Sequence, residues 1–204
     1  MTVPGLVIDQ WSSFAWTAAN LRISEEIIGR YPPGREASAI MPLLWLAQYQ
    51  VKDMAGIAWL PLPVIEFVAA QIGMPKIRAL EVATFYTMYN LKPVGRFHVQ
   101  VCGTTPCMLR GSDDILRACA DKGLRKGEIT NDGAFTLTEV ECLGVCANAP
   151  MVQVNDDTYE DLTYDSMSAI LDALLAGETP KAGSQTGRQA SCPEGGATTL
   201  KEMA

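Results

Sequence analysis

Four cysteines fall into two short segments, Cys102-Gly103-Thr104-Thr105-Pro106-Cys107 and Cys142-Leu143-Gly144-Val145-Cys146, with thirty-four residues between the pairs. Each segment holds glycine and follows a strand-like run. Thiolates are soft ligands, and four of them from two turns can surround a soft metal centre. Three chemistries compete for this pattern. Structural zinc favours tight C-x2-C knuckles, often with histidine, whereas the intervals here are four and three residues. Disulfides or a thioredoxin-type redox pair are the second option, but no C-x-x-C is present. The third is an iron–sulfur cluster with two thiolates per iron. Small residues between the ligands (Gly103, Thr104, Thr105 and Gly144) let backbone N–H groups approach and donate to sulfur, which favours the cluster and tunes its potential.

Other side chains near these turns are weaker candidates. His98, the single histidine, lies mid-strand four residues before Cys102 and is read as a strand residue, not a ligand. Arg110 is the basic residue nearest the first turn along the chain and is expected on a solvent face. The carboxylates Glu139, Glu141, Asp156 and Asp157 are expected near the cysteines, where they would disfavour adding an electron. Cys119 falls on a helical pattern with Ile115 and Leu116 and reads as a small buried hydrophobe. Cys192, ahead of Pro193, is expected to be a free thiol.

The elements that must position these residues follow from periodicity. Residues 1–16 carry Trp11, Phe14 and Trp16 without a clear period, an arm that packs either on a neighbour or in this chain's own core. From Thr17 the pattern is helical, with Ile23, Ile27 and Ile28 on one side. Tyr31-Pro32-Pro33-Gly34 ends that helix. A second helix, capped by Ser38, runs to about Met54, and a third runs through Val64, Phe67, Val68 and Ile72 after Pro61 and Pro63. A fourth spans Pro75 to about Phe85. Together residues 17–90 read as a small helical bundle. The aromatic stretch Ala83–Tyr89 is expected as a core seam, with a partner surface as the alternative.

After Pro93-Val94-Gly95 the period changes to two. Phe97, Val99 and Val101 alternate with His98 and Gln100 in a strand that runs into Cys102. A helix over Asp113–Ala120 follows, then a strand over Phe135–Val140 ending at Cys142. A third strand spans Met151–Val154 and a fourth Thr158–Asp161. The final helix, capped by Asp165 or Ser166, ends at Gly177. Residues 91–176 thus read as an α/β domain of thioredoxin-like size. Residues 177–204 are rich in Gly, Ser, Thr and Pro and are expected as an extended tail.

Hydrophobic residues make up 48% of the 204-residue chain, enough to bury a sizeable core. No apolar run reaches spanning length: Ala55–Pro75 is broken by Pro61, Pro63 and Glu66, and Ala37–Val51 by Pro42 and two glutamines. No basic segment precedes an apolar core at the N-terminus, so no secretory signal is expected. The net charge of −7 is unevenly spread, for residues 93–176 carry six basic and thirteen acidic side chains while the remainder is balanced. Such a segment repels nucleic acid and anionic lipid and suits a basic protein surface.

Three stretches carry a family resemblance: Glu81–Tyr89, Lys92–Cys107 and Cys142–Pro150. With the helical region Ile27–Gln50, they make the chain resemble, over roughly residues 20–176, the small thioredoxin-like [2Fe-2S] subunit (24 kDa-type) of the NADH-oxidising module of respiratory complex I. The resemblance implies an α+β or α/β architecture, with an N-terminal helical bundle, a thioredoxin-like [2Fe-2S] ferredoxin domain and an extended C-terminal tail. It implies one [2Fe-2S] cluster on Cys102, Cys107, Cys142 and Cys146, with none of these acting as a catalytic residue. It also implies an electron-transfer role beside a flavoprotein subunit that binds NADH and FMN, and contact with another peripheral iron–sulfur subunit. The location would be peripheral, on the cytoplasmic side of the inner membrane or the matrix side of the mitochondrial one, with no direct membrane insertion. No dinucleotide fingerprint occurs in this chain, in keeping with NADH and FMN binding elsewhere. The same module in an NAD-linked hydrogenase or formate dehydrogenase is an alternative, and a structural zinc assembly module is a non-redox one. Trp45, Tyr49 and Trp59-Leu60-Pro61 are more aromatic and apolar than expected for the bundle surface and suggest further subunit contacts.

Overall fold

The computed structural model describes residues 11–193, 195, 196 and 199, and these divide into two units, 1–94 and 95–204. The first ten residues of the expected arm and positions 194, 197, 198 and 200–204 of the expected tail lie outside the described residues.

The first unit is helical. Its helices are α1 (Ala18–Gly29), α2 (Ile40–Ala55), α3 (Leu62–Gln71) and α4 (Lys76–Phe85). Thr17 caps α1 by accepting the Asn20 N–H. Ser38 does not cap α2; it lies in a 3-10 turn, Glu36–Ala39, that runs directly into the helix. Gly56 closes α2 in the left-handed conformation that glycine adopts without penalty. The core takes Leu43, Leu44, Ala47 and Val51 from α2 and Val64, Ile65 and Val68 from α3. Trp11 and Phe14 are buried in it, and Phe14, Trp16 and Phe67 meet edge-to-face at 5.2–5.7 Å. The described end of the arm therefore packs on its own chain. Trp59 and Leu60 are likewise core residues, and Trp45 stacks on Tyr49 at 5.2 Å, so this aromatic content is used largely inside the unit.

The two glutamines of α2 have a structural role of a polar kind. Gln50 is 1% exposed; its Oε1 accepts from the Thr17 N–H and the Asn20 amide, and its Nε2 donates to the Ala15 carbonyl. Gln48 donates to the Met88 carbonyl and accepts the Asn90 N–H. Buried amides with both ends satisfied pin the segments before α1 and after α4 to α2. The aromatic stretch that spans the end of α4 splits. Tyr89 is buried and donates to the Met41 carbonyl, whereas Phe85 is 76% exposed and pairs edge-to-face with Tyr86 at the surface.

The second unit is a mixed five-stranded sheet, order β2-β1-β3-β4-β5, with strands β1 (Phe97–Cys102), β2 (Phe135–Val140), β3 (Val152–Val154), β4 (Asp157–Glu160) and β5 (Gly183–Ser184). Strands β1 and β2 are parallel and joined through α5 (Thr105–Arg110) and α6 (Ser112–Asp121), the kind of crossover a parallel pair requires. The β1–β3 and β3–β4 pairs are antiparallel, and β4–β5 is parallel. Val99, Val101, Phe135, Leu137, Val152 and Val154 form the sheet side of the core, facing Ile115, Ala118 and Cys119 of α6. Met167, Ile170 and Leu171 of α7 (Tyr164–Leu175) complete it. Thr163, not Asp165 or Ser166, caps α7: its hydroxyl accepts the Ser166 N–H while Ser166 Oγ accepts the Thr163 N–H. Cys119 is fully buried in this core, and burial pushes its thiol up to about 12.

His98 behaves as a strand residue. Its ring Nε2 pairs with Thr138 Oγ1 on β2 at 2.9 Å, and burial lowers its pKa from 6.5 to about 4. A folded-state value below the unfolded one means that the unfolded chain binds the proton more readily in between. The contribution is therefore present above about pH 6.5 and is lost as pH falls towards 4. Relative to the unchanged chain, His98→Gln is expected to flatten the fall in denaturant-measured stability across that window, by no more than about 3 kcal/mol. Parallel pH profiles for the two chains would contradict this.

Candidate metal centre

Register brings the two cysteine segments together. Cys102 is the last residue of β1 and stands opposite Val140, the last residue of β2. Both cysteine segments thus leave the sheet at the same end. The first does not remain a turn: Thr104 stands at the N-terminal boundary of α5, Pro106 lies in its first turn, where a missing N–H costs nothing, and Cys107 sits on that helix. The second segment is a loop whose Gly144 has φ +86°, a conformation that L side chains rarely adopt. It ends in a 3-10 turn, Cys146–Asn148.

The four sulfurs divide into an inner and an outer pair. Cys102 and Cys107 are each 2% exposed and pack with Ala149 and Met151, whereas Cys142 and Cys146 are exposed. Cys142 Sγ and Cys146 Sγ are 3.6 Å apart, close to the edge of a tetrahedron built on metal–sulfur bonds of about 2.3 Å. The Leu143 N–H hydrogen-bonds to the Cys102 sulfur, which links the two segments directly. Among the described residues no three or more His, Cys, Asp or Glu side chains are grouped to hold a single ion. The sulfurs form two pairs instead, the arrangement that two irons with two thiolates each would use.

The surroundings of the inner pair act on its two thiols in opposite directions. Burial works against the Cys102 thiolate, but the Thr104 hydroxyl at 3.4 Å and the N–H groups of Leu143 and Thr104 outweigh it, so the Cys102 pKa is lowered. Burial, with the proton Cys107 shares with Cys102, drives Cys107 up to about 11, although the Met151 N–H also faces its sulfur. Cys146 is raised by its hydrogen bond with Cys142. Thiols bind a metal as thiolates, so a bound cation would displace their protons. Four soft donors and N–H groups aimed at sulfur fit a [2Fe-2S] group in number and type.

The surroundings differ from expectation in two ways. Asp156 and Asp157 lie at the turn between β3 and β4, and the Asn155 N–H bonds the His98 carbonyl, so these carboxylates flank the far end of β1 from Cys102. Glu139 does lie beside the first segment, where a Cβ on Gly103 would stand 2.6 Å from its Oε1, but its charge is offset by an ion pair with Lys126. Arg110 is exposed, as expected, with only a long 3.5 Å contact from Nε to the Ala149 carbonyl. Cys192 is a free, partly exposed thiol. Sequence reading missed the Leu143 and Met151 N–H donors, whose contacts arise from sheet register and leave no mark on residue type.

The chain is similar to known proteins. Residues 24–175 match the family model described as thioredoxin-like [2Fe-2S] ferredoxin. A subunit of the NADH-quinone oxidoreductase of Rickettsia conorii is 57% identical over 164 residues, covering 80% of this chain and 95% of the relative. Its counterpart in the NADH-quinone oxidoreductase of Rickettsia bellii is 56% identical over 164 residues, with the same coverages of 80% and 95%. Among solved structures, an NAD+-reducing [NiFe]-hydrogenase in the air-oxidized state shares the fold with a TM-score of 0.55 at 16% identity, over 68% of this chain and 23% of that one. The chain belongs to the thioredoxin-like [2Fe-2S] ferredoxin family, and one [2Fe-2S] cluster is its cofactor.

Proposed function

We propose that Cys102, Cys107, Cys142 and Cys146 hold the [2Fe-2S] cluster, and that the chain is the electron-transfer subunit of a proton-translocating NADH:quinone oxidoreductase. The observation that carries the ligand assignment is the meeting of two thiol pairs at one end of the sheet, bridged by the Leu143 N–H to Cys102. When bound there, the cluster supplies one-electron transfer. The chain's own groups set the conditions for it. The Thr104 hydroxyl and the N–H groups of Leu143, Thr104 and Met151 oppose negative charge gathered on sulfur. Cys102 and Cys107 exclude water on the inner side, and Cys142 and Cys146 bring the site to the surface, where a redox partner can approach.

The partner in this reading is a flavoprotein subunit that binds NADH and FMN, with a second peripheral iron–sulfur subunit nearby, and the flavin donates the electron. The family relationship and the NADH-quinone oxidoreductase relatives support that assignment. The domain scheme proposed with it keeps residues 17–90 as a helical bundle and 91–176 as the cluster-bearing domain. Phe85 and Tyr86, exposed beside each other, are candidate contact residues for the complex. The complex would sit peripherally on the cytoplasmic or matrix face of the energy-conserving membrane; no described helix is long and apolar enough to cross one. A diaphorase module of an NAD-linked hydrogenase is the second reading, favoured by the shared fold with such an enzyme. Co-purification separates the two, since membrane-domain subunits accompany the chain in the first case and a hydrogenase subunit in the second.

Substituting Cys142→Ser or Cys146→Ser is expected to weaken or abolish the visible absorption and the reduced-state paramagnetic signal of the anaerobically purified chain. Zinc in place of iron, or unchanged spectra in both variants, would overturn the assignment. Because residues 93–176 carry six basic against thirteen acidic side chains, docking to the flavoprotein is expected to weaken on the order of tenfold from low to high salt. Salt-insensitive binding would contradict a basic docking surface.

A further inference from the structure

The tail expected to extend freely instead folds back along the sheet. After α7, Pro180 meets the Tyr159 hydroxyl, and Gly183–Ser184 add a short parallel strand to β4. The chain then turns to Arg188, whose guanidinium is a three-way junction. Nη2 donates to Asp161 Oδ1 at 2.7 Å, and Nη1 donates to the Ala147 carbonyl at 3.0 Å and the Cys192 carbonyl at 3.4 Å. The ion pair is buried, with side-chain exposures of 11% for Arg188 and 4% for Asp161. Asp161 is fixed in turn by the Ser184 hydroxyl at 2.6 Å.

What this junction holds is the segment just past Cys146. Ala147 is the next residue. Its neighbour Asn148 donates through Nδ2 to Glu160 Oε2 and to the Ala190 carbonyl of the tail, while its carbonyl accepts the Asp161 N–H at 2.7 Å. The 3-10 turn Cys146–Asn148 is thus gripped from β4 on one side and from the tail on the other. The Cys142–Cys146 loop has exposed thiols and is packed on the small cluster around Cys102, Cys107 and Met151 only by the partly buried Leu143 and Val145, so outside anchors add to what fixes its geometry. A buried ion pair contributes little net stability, because desolvation offsets its attraction; its best-attested use is to select one arrangement over others.

We propose that residues 178–192 form a strap over the second cysteine loop, and that Arg188, paired with Asp161, is a positioning residue that holds Cys142 and Cys146 in ligating geometry. This rests on the reading of those cysteines as cluster ligands. The strap does not touch the cluster; it acts through the Ala147 carbonyl and Asn148. Lysine replaces the fork only in part, since one ammonium keeps the charge but does not present the planar set of donors that reaches a carboxylate and two carbonyls together.

The test uses the full-length, cluster-loaded chain with the paired substitution Asp161→Asn/Arg188→Gln, which removes both charges and leaves no lone buried ion, and separately with Arg188→Lys. Three signals are read: hydrogen exchange of amides 143–149, the rate at which visible absorption bleaches under an iron chelator, and the g-values of the reduced cluster. The paired variant is expected to speed bleaching by about tenfold or more. It should also raise exchange in 143–149 and shift the g-values, with exchange in β1, β2 and α7 unchanged. Arg188→Lys should fall in between. Unchanged bleaching, exchange and g-values would overturn the strap. So would loss of protection across the whole sheet, because the pair would then support the fold and not the loop. If Cys146→Ser keeps an unaltered spectrum, the ligand assignment fails instead, and exchange at 143–149 in the paired variant still decides whether the tail restrains the loop.

Discussion

The parallel pairing of β1 with β2, in register from Phe97 opposite Phe135 to Cys102 opposite Val140, is the constraint on which the site depends. Parallel strands end at the same edge of a sheet, so two segments far apart in the chain emerge side by side. The crossover through α5 and α6 is the condition for that pairing, and it also places Cys107 on a helix that begins within a few residues of Cys102. A one-residue slip would send Val99 and Val101 out of the core and carry Cys102 to the opposite face. The apolar faces of α6 and α7 make such a slip costly, and in this way an ordinary hydrophobic core fixes the spacing of four sulfurs.

The burial of two sulfurs and exposure of two others divides the work between enclosure and access. The inner pair has the stronger set of donors: a threonine hydroxyl and three backbone N–H groups face Cys102 and Cys107. The outer pair has less enclosure and relies on the segments around it. Glu139 offers a related contrast, for a carboxylate beside Gly103 would raise the cost of further negative charge but is largely offset by Lys126.

Much of this was legible in residue types. The switch from a helical to an alternating period located β1 to within a residue and β2 to within two at its end, and the cysteine intervals pointed to a soft metal site. What escaped were features set by distant partners. Thr163 outcompetes Asp165 as a cap because its backbone sits where the chain enters the helix, and composition does not show that. Asp156 and Asp157 are neighbours of the cysteines by number but not by register. Gln48 and Gln50 counted against a membrane helix, yet nothing local revealed that they anchor two other segments. The tail was the largest departure: its Gly, Ser and Thr content cannot build a core, but one Arg–Asp pair and a two-residue strand suffice to dock it on a sheet already formed elsewhere.

The division of the cysteines has one more consequence. A site with one buried and one exposed pair has a direction. A partner approaching from solvent would meet Cys142 and Cys146 first, because Cys102 and Cys107 are buried against Ala149 and Met151. Were the four cysteines to hold the cluster, its outer half would lie nearer the surface than its inner half. The two halves of a chemically symmetric cluster would thereby meet unequal surroundings, one dry and one wet.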